Sequence, residues 1–320
     1  MKIGYPCINN SILRTVPTTF RLASYSENKL VQTISGNLSY LEQILEYNVK
    51  HGLLYFRISS DLIPFASHPI CKLNWYERFQ SEFEEIGSFV RKHNIRISMH
   101  PDQFVILNSP NTTIIKSSII SELTYHCNVL DAMNLDETAK VQIHVGGIYG
   151  NKIEALKRFV TVYNTLNDAV RQRLVIENDD RLYQLNDCLE LNRQINIPIV
   201  LDSFHHELLS DGELLKFAFR KATSTWDTNK DGLQIVDYSN AQPKNGERSS
   251  MGRKGKHAES IDITSFKKFL KATAGLDFDV MLEIKDKEKS ALKALMILNS
   301  CRNRKLPLNM LFSNSASRSW

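Results

Sequence analysis

The sequence predicts an α/β fold: a single (β/α)8 TIM-type barrel with a metal site at the C-terminal mouth of its strands. Three observations carry that prediction. Short segments that are nearly continuously apolar and rich in Ile, Val and Leu recur eight times, as buried parallel strands do. Amphipathic segments with apolar spacings of three and four lie between them. Nearly every strand segment ends in a polar, chemically capable residue. A closed barrel gathers such ends at one mouth, whereas an open doubly wound sheet spreads them along a line. No G-x-G-x-x-G follows the first segment, so a dinucleotide site has no support.

The strand segments are KIGYPC (2–7), LLYFRISS (53–60), IRISMH (95–100), KVQIHVGG (140–147), RLVIEND (173–179), PIVLDSFHH (198–206), LQIVDYS (233–239) and DVMLEIK (279–285). Among the helical segments, 77–93 puts Phe79, Phe83, Ile86 and Val90 on one face, and 118–133 aligns Ile119, Leu123 and Leu130. Segment 151–166 aligns Ile153, Leu156, Val160 and Tyr163. Segment 264–275 runs to a glycine stop, and 287–300 closes the series with Leu292, Leu295 and Met296. One barrel domain is expected over 1–302. The polar, irregular tail 303–320 is expected to pack on or near it.

Composition narrows the function classes. The 320 residues are 42% hydrophobic and 23% charged, ample for a globular core. Five cysteines, odd in number and with no C-x-x-C, exclude a disulfide scaffold or a cysteine zinc site. No apolar run approaches the ~20 residues that span a bilayer, and the N-terminus has no signal-peptide core. A cytoplasmic protein is expected. A net charge of +5 permits a polyanionic partner without demanding one.

The strand ends supply His100, His144, Glu177, Asp202 followed by His205 and His206, Asp237 and Glu283. His68 and His257 join them from loops. Six of the nine histidines fall in these positions; His51, His93 and His126 sit on helical segments, where packing or surface roles are expected. Imidazole and carboxylate without cysteine suit a catalytic Zn²⁺, Mn²⁺ or Fe²⁺ site. About nine ligands are enough for two or three ions, an arrangement that supports in-line displacement at phosphorus.

Together the motifs GYPCINN, RISSDLIPFASHP (57–69), ISMHPDQF (97–104), QIHVGG, IENDD, LDSFHHE, GKHAESID and MLEIKDKE (281–288) resemble the UV damage endonucleases over residues 1–290. The resemblance implies a barrel related to endonuclease IV and cleavage of damaged double-stranded DNA. It implies that the cut falls immediately 5′ to cyclobutane dimers, (6-4) photoproducts and some other lesions, such as abasic sites. It also implies a divalent metal cluster of two or three ions, Mn²⁺ first, with Zn²⁺, Co²⁺ or Mg²⁺ as substitutes. The implied ligands are His68, His100, His144, Glu177, Asp202, His205, His257 and Glu283, with Glu177, Glu283 and His205 assigned to the chemistry.

Gln103 and Phe104 correspond to a pair that probes the DNA at the lesion; many relatives carry Tyr at the second position. Tyr5 and Asn9 correspond to residues that contact flipped-out bases. Strand seven departs from relatives that carry a histidine and a nearby lysine: Asp237 stands at the ligand position with no lysine beside it.

The loop at 243–259 carries Arg248, Arg253, Lys254 and Lys256 among glycines and serines, which suits phosphate contacts. Lys285 is expected to pair with a carboxylate. A monomer with no obligate protein partner is expected. The competing readings are a metal-dependent sugar isomerase or epimerase of the same barrel class, and a damage-binding protein without catalysis.

Overall fold

The computed structural model describes residues 1–13, 18–242 and 256–303. The eight apolar segments form β1 (Ile3–Pro6), β2 (Tyr55–Ile58), β3 (Arg96–Met99), β4 (Lys140–His144), β5 (Leu174–Glu177), β6 (Ile199–Asp202), β7 (Gln234–Tyr238) and β8 (Phe278–Leu282). All pair in parallel in sequential order, and β1 pairs with β8 to close the barrel. At Gly4, opposite Tyr55, a Cβ would collide with the Tyr55 carbonyl, so β1 approaches β2 as only a glycine strand can.

Among the helices between the strands are α1 (Glu27–His51), α2 (Gln80–Lys92), α3 (Ile120–Ala132), α4 (Lys152–Tyr163), α5 (Leu185–Ile195), α6 (Ser203–Leu208), α7 (Leu215–Thr223) and α8 (Ile263–Ala272), and α9 (Glu288–Asn303) follows β8. In α1 the Ser26 side chain accepts from the Lys29 amide, and Gly52 at φ 74° stops the helix. Its buried series Leu30, Ile34, Leu38, Leu41 and Leu45 holds the helical period against the barrel.

The predicted buried faces hold in α2 and α3. Two residues need correction. In α4 the buried series is Ala155, Phe159 and Tyr163, and Ile153 is 67% exposed. Ile153 lies about 200° around the helix from Ala155, so the bulk of Phe159 decides the face. In α9 the small residues Ala291 and Ala294, with Leu298, face the barrel, and Met296 is exposed.

Strand pleat sorts the barrel interior into layers. Tyr55, Val175, Val200, Ile235 and Met281 form an apolar layer with Trp226, apart from the main core outside the strands. One pleat towards the N-terminal end lie Arg96, Lys140 and Asp279; one pleat towards the C-terminal end lie Arg57, Glu177, Asp202, Asp237 and Glu283. The site therefore stands on an apolar floor. No helix among the described residues is long and apolar enough to cross a membrane.

Candidate metal centre and its rim

Register decides which strand ends become neighbours. His144 of β4 stands opposite Glu177 of β5, and Asp202 of β6 opposite Asp237 of β7. Glu177 is buried, with Oε1 2.7 Å from His144 Nδ1 and 3.6 Å from His100 Nε2. Burial opposes its charge, but the two imidazoles prevail and hold the carboxyl well below its ordinary range. The converse holds for His144: burial lowers it, Glu177 overrides, and it rises to about 9. His100 Nδ1 lies 2.8 Å from the Pro101 carbonyl. That contact fixes the ring with Nε2 turned to Glu177, the orientation that a carbonyl partner gives a histidine ligand.

Asp202 caps α6: its Oδ1 accepts from the Phe204 and His205 amides, both at 2.8 Å. Its Oδ2 is buried without a hydrogen-bond partner, 3.2 Å from His205 Nδ1. Burial raises Asp202 to about 7, against the pull of His205. His205 rises to about 9, with burial opposing and Asp202 prevailing. His205 Nδ1 also lies 3.0 Å from the Asn178 carbonyl. The cap thus fixes the helix turn that presents His205 to the mouth.

Glu283 accepts from Arg57 Nη1, and its Oε2 lies 3.8 Å from His257 Nε2. Burial works to raise it, but the guanidinium prevails and brings it to about 2. His257 is held by a bridge to Ala241, with Gln242 and Ala258 amides donating across it to Lys256 and Asn240 carbonyls at 2.9 Å. The chain leaves for the basic loop from this point, beside Glu283.

Asp237 is fully buried and accepts from Arg57 Nη2 at 2.8 and 2.9 Å and from Gln142 Nε2 at 2.6 Å. Burial pushes it well above its ordinary range, against Arg57. Gln142 Nε2 also donates to Glu177, and its Oε1 accepts from Arg57 Nη2 at 2.9 Å.

Two groups of donor atoms lie within 4.8 Å of one another: His100, His144 and Glu177, and then Glu177, Asp202 and Asp237. These nitrogen and oxygen donors, the orphaned Asp202 Oδ2 and the oriented imidazoles fit a divalent metal centre. Glu177 belongs to both groups. His205, Glu283 and His257 border them. His68 is not brought in: it is exposed, and its Nδ1 accepts from the Ile70 amide at 3.0 Å. His206 is buried elsewhere, its Nε2 2.9 Å from the Glu213 carbonyl.

At the rim, Gln103 is exposed and Phe104 is 76% exposed, in a turn where the Phe104 amide donates to Asp102 Oδ1 at 3.0 Å. Tyr5 and Asn9 lie in the wall of the barrel. Both are buried, Asn9 donates to the Tyr5 hydroxyl at 2.8 Å, and that hydroxyl donates to Asn48 at 2.7 Å. They brace β1 against α1. Lys256 is described and exposed; Arg248, Arg253 and Lys254 lie outside the described residues. Lys285 pairs with Glu259 at 2.5 Å, as expected.

Sequence reasoning missed Arg57, Gln142 and Ser60. Ser60 donates to the His100 carbonyl at 3.0 Å and lies 2.9 Å from buried His126 Nε2, behind the metal-facing ring. The available signal was parity: Arg57 and Gln142 share the inward pleat with the strand-end residues.

A closed barrel whose strand ends converge on buried carboxylates and half-buried imidazoles defines a TIM-type barrel with a candidate metal mouth. The chain belongs to the UV-endonuclease UvdE family, whose model matches residues 1–309. That membership places it among endonucleases of DNA repair. The chain is 36% identical over 296 residues to a UV DNA damage endonuclease of Clostridium perfringens, covering 92% of this chain and 70% of the relative. The crystal structure of SacUVDE superposes with a TM-score of 0.86 at 39% identity, covering 94% of this chain and 99% of that one. Endonuclease IV from Thermus thermophilus shares the fold, with a TM-score of 0.59 at 12% identity over 95% of this chain and 100% of that one.

Proposed function

We propose that this protein is a metal-dependent endonuclease that nicks damaged duplex DNA 5′ to UV photoproducts, both cyclobutane dimers and (6-4) photoproducts. One observation carries the reading: the half-buried His100 and His144 and the buried Glu177 and Asp202 donors gather at a mouth whose rim exposes Phe104. Two or three divalent ions, Mn²⁺ first, supply Lewis acidity at the phosphodiester and its leaving oxygen when bound. Glu177, Glu283 and His205 stand nearest the reacting phosphate, and His100 and His144 turn nitrogens to Glu177. Phe104 and Gln103 wedge the duplex at the lesion; a phenyl ring stacks but donates no hydrogen bond. Arg248, Arg253, Lys254 and Lys256 contact phosphates, which strengthens binding without reading sequence. A sugar isomerase needs neither that wedge nor that loop.

The test uses a 5′-labelled duplex carrying one thymine dimer, with Mn²⁺ or with EDTA, beside a Glu177→Ala/His205→Ala variant. A Mn²⁺-dependent cut directly 5′ to the dimer, absent from the variant, is expected. Intact duplex after incubation with folded, Mn²⁺-loaded protein overturns the reading.

A further inference from the structure

Among the described residues, Arg57 is the only lysine or arginine that pairs with Glu177, Asp202, Asp237 or Glu283. We propose that Arg57 is a positioning residue of the metal mouth: a fixed cation that withholds Asp237 from the ligand set and orients Glu283 and, through Gln142, Glu177. The proposal rests on the metal-dependent reading above and concerns the same site.

The contrast between the two facing carboxylates carries it. Asp202 and Asp237 are register partners, and both lie close to Glu177. Asp202 keeps one buried oxygen with no hydrogen-bond partner. Asp237 has none free: Arg57 Nη2 reaches both oxygens at 2.8 and 2.9 Å, and Gln142 Nε2 takes Oδ2 at 2.6 Å. An incoming cation at Asp237 has to displace a guanidinium from a bond shut away from water, where a charged hydrogen bond is strongest.

The same guanidinium sets the direction of its neighbours. The Gln142 amide has two unlike ends, and Arg57 Nη2 claims the oxygen at 2.9 Å. Nε2 is thereby turned to Glu177 Oε2, leaving Glu177 Oε1 to face His144 and His100. Arg57 Nη1 takes one Glu283 oxygen and leaves the other facing His257. A lysine carries the charge but lacks the planar fork that serves Asp237, Gln142 and Glu283 at once.

The test measures metal uptake, with nicking as a second readout. Metal-stripped wild type, Asp237→Asn, Arg57→Met, Arg57→Lys and Arg57→Met/Asp237→Asn are titrated with Mn²⁺ by calorimetry. Bound equivalents are counted by elemental analysis after gel filtration, and circular dichroism checks folding. Asp237→Asn is expected to keep the wild-type number of Mn²⁺ equivalents, with affinity changed by less than about tenfold, the lower bound for losing an orienting partner. Arg57→Met releases Asp237: it binds Mn²⁺ more tightly or takes a further equivalent, and nicks UV-irradiated DNA at least about tenfold more slowly. Adding Asp237→Asn to Arg57→Met removes the gain in uptake but leaves nicking slow. Arg57→Lys shifts in the same direction and serves where the methionine variant does not fold.

Loss of a Mn²⁺ equivalent, or a larger loss of affinity, in Asp237→Asn makes Asp237 a ligand and overturns the proposal. Wild-type uptake in both Arg57 variants overturns it too. A wild type that binds no Mn²⁺ is a different result, which refutes the metal-dependent reading itself and takes this proposal with it.

Discussion

At the N-terminal foot of the barrel, Lys140 meets Asp231 at 2.6 Å and Arg96 meets Asp279 at 3.0 Å. Each carboxylate there has its own cation, and backbone carbonyls of Gln172, Leu233 and Asp231 take spare protons. At the C-terminal mouth, Glu177, Asp202, Asp237 and Glu283 share one guanidinium, and imidazoles make up part of the difference. The charges of the foot are matched within it, as suits a part that holds the fold together. The mouth has one guanidinium for four carboxylates and leaves the rest of the balance to protons on imidazoles and buried carboxyls, a part that a divalent cation can take over. Substitutions at the two ends should therefore separate stability from activity.

The largest effect is expected at the foot. Lys140→Met strands the Asp231 carboxylate, and removing one partner of a buried pair costs about 3–5 kcal/mol. Denaturant unfolding should show that loss, while nicking per folded molecule stays near wild type. A loss of nicking without a loss of stability would erase the distinction between the ends. Glu177→Gln should do the reverse. It removes the carboxylate common to both donor groups, so nicking with Mn²⁺ should fall by at least ~100-fold, more than an orienting partner alone gives. Its unfolding free energy in EDTA should fall far less than that of Lys140→Met.

Phe104→Ala should leave stability unchanged, because the ring is exposed. It should weaken binding to a dimer-containing duplex by about 1–3 kcal/mol, the usual worth of a base–aromatic stack, as read by fluorescence anisotropy. The two ends should also differ in pH dependence. In metal-free protein His144 and His205 are both lifted from 6.5 to about 9. Their stabilising contribution is complete below pH 6.5 and is lost as pH rises through 9. The melting temperature in EDTA should fall across that window. With saturating Mn²⁺ the fall should be shallower, because metals take the deprotonated imidazole. An EDTA curve flat from pH 6.5 to 9 would show that these histidines do not supply the missing charge.

The barrel was legible because its signal is local and repeated. Each strand is a short apolar run, and each run ends where the chemistry begins. The donors His100, His144, Glu177 and Asp202 were legible for the same reason: the last inward pleat of a barrel strand has nowhere to point except the mouth. Three things were not. The faces of α4 and α9 turned on which side chain fills space against a strand, which spacing alone does not settle for Ile153 or Met296. Arg57 and Gln142 lie inside apolar runs, and their roles exist only across the barrel, in bonds spanning 85 and 180 residues. Tyr5 and Asn9 sit in a motif whose resemblance points outward, yet the hydroxyl and amide satisfy each other and Asn48 in the wall.

The facing of His144 with Glu177 and of Asp202 with Asp237 has a further consequence, for how this gene can change. Side chains alternate across a strand, so one codon inserted or deleted within β5 turns Glu177 from the lumen to the outer wall and drives its neighbour inward. A point substitution at the mouth removes one donor, whereas a single-codon indel in a strand inverts a whole spoke of the wheel. Length variation among descendants of this sequence should therefore gather in the loops, and viable strand changes should come in multiples of two codons.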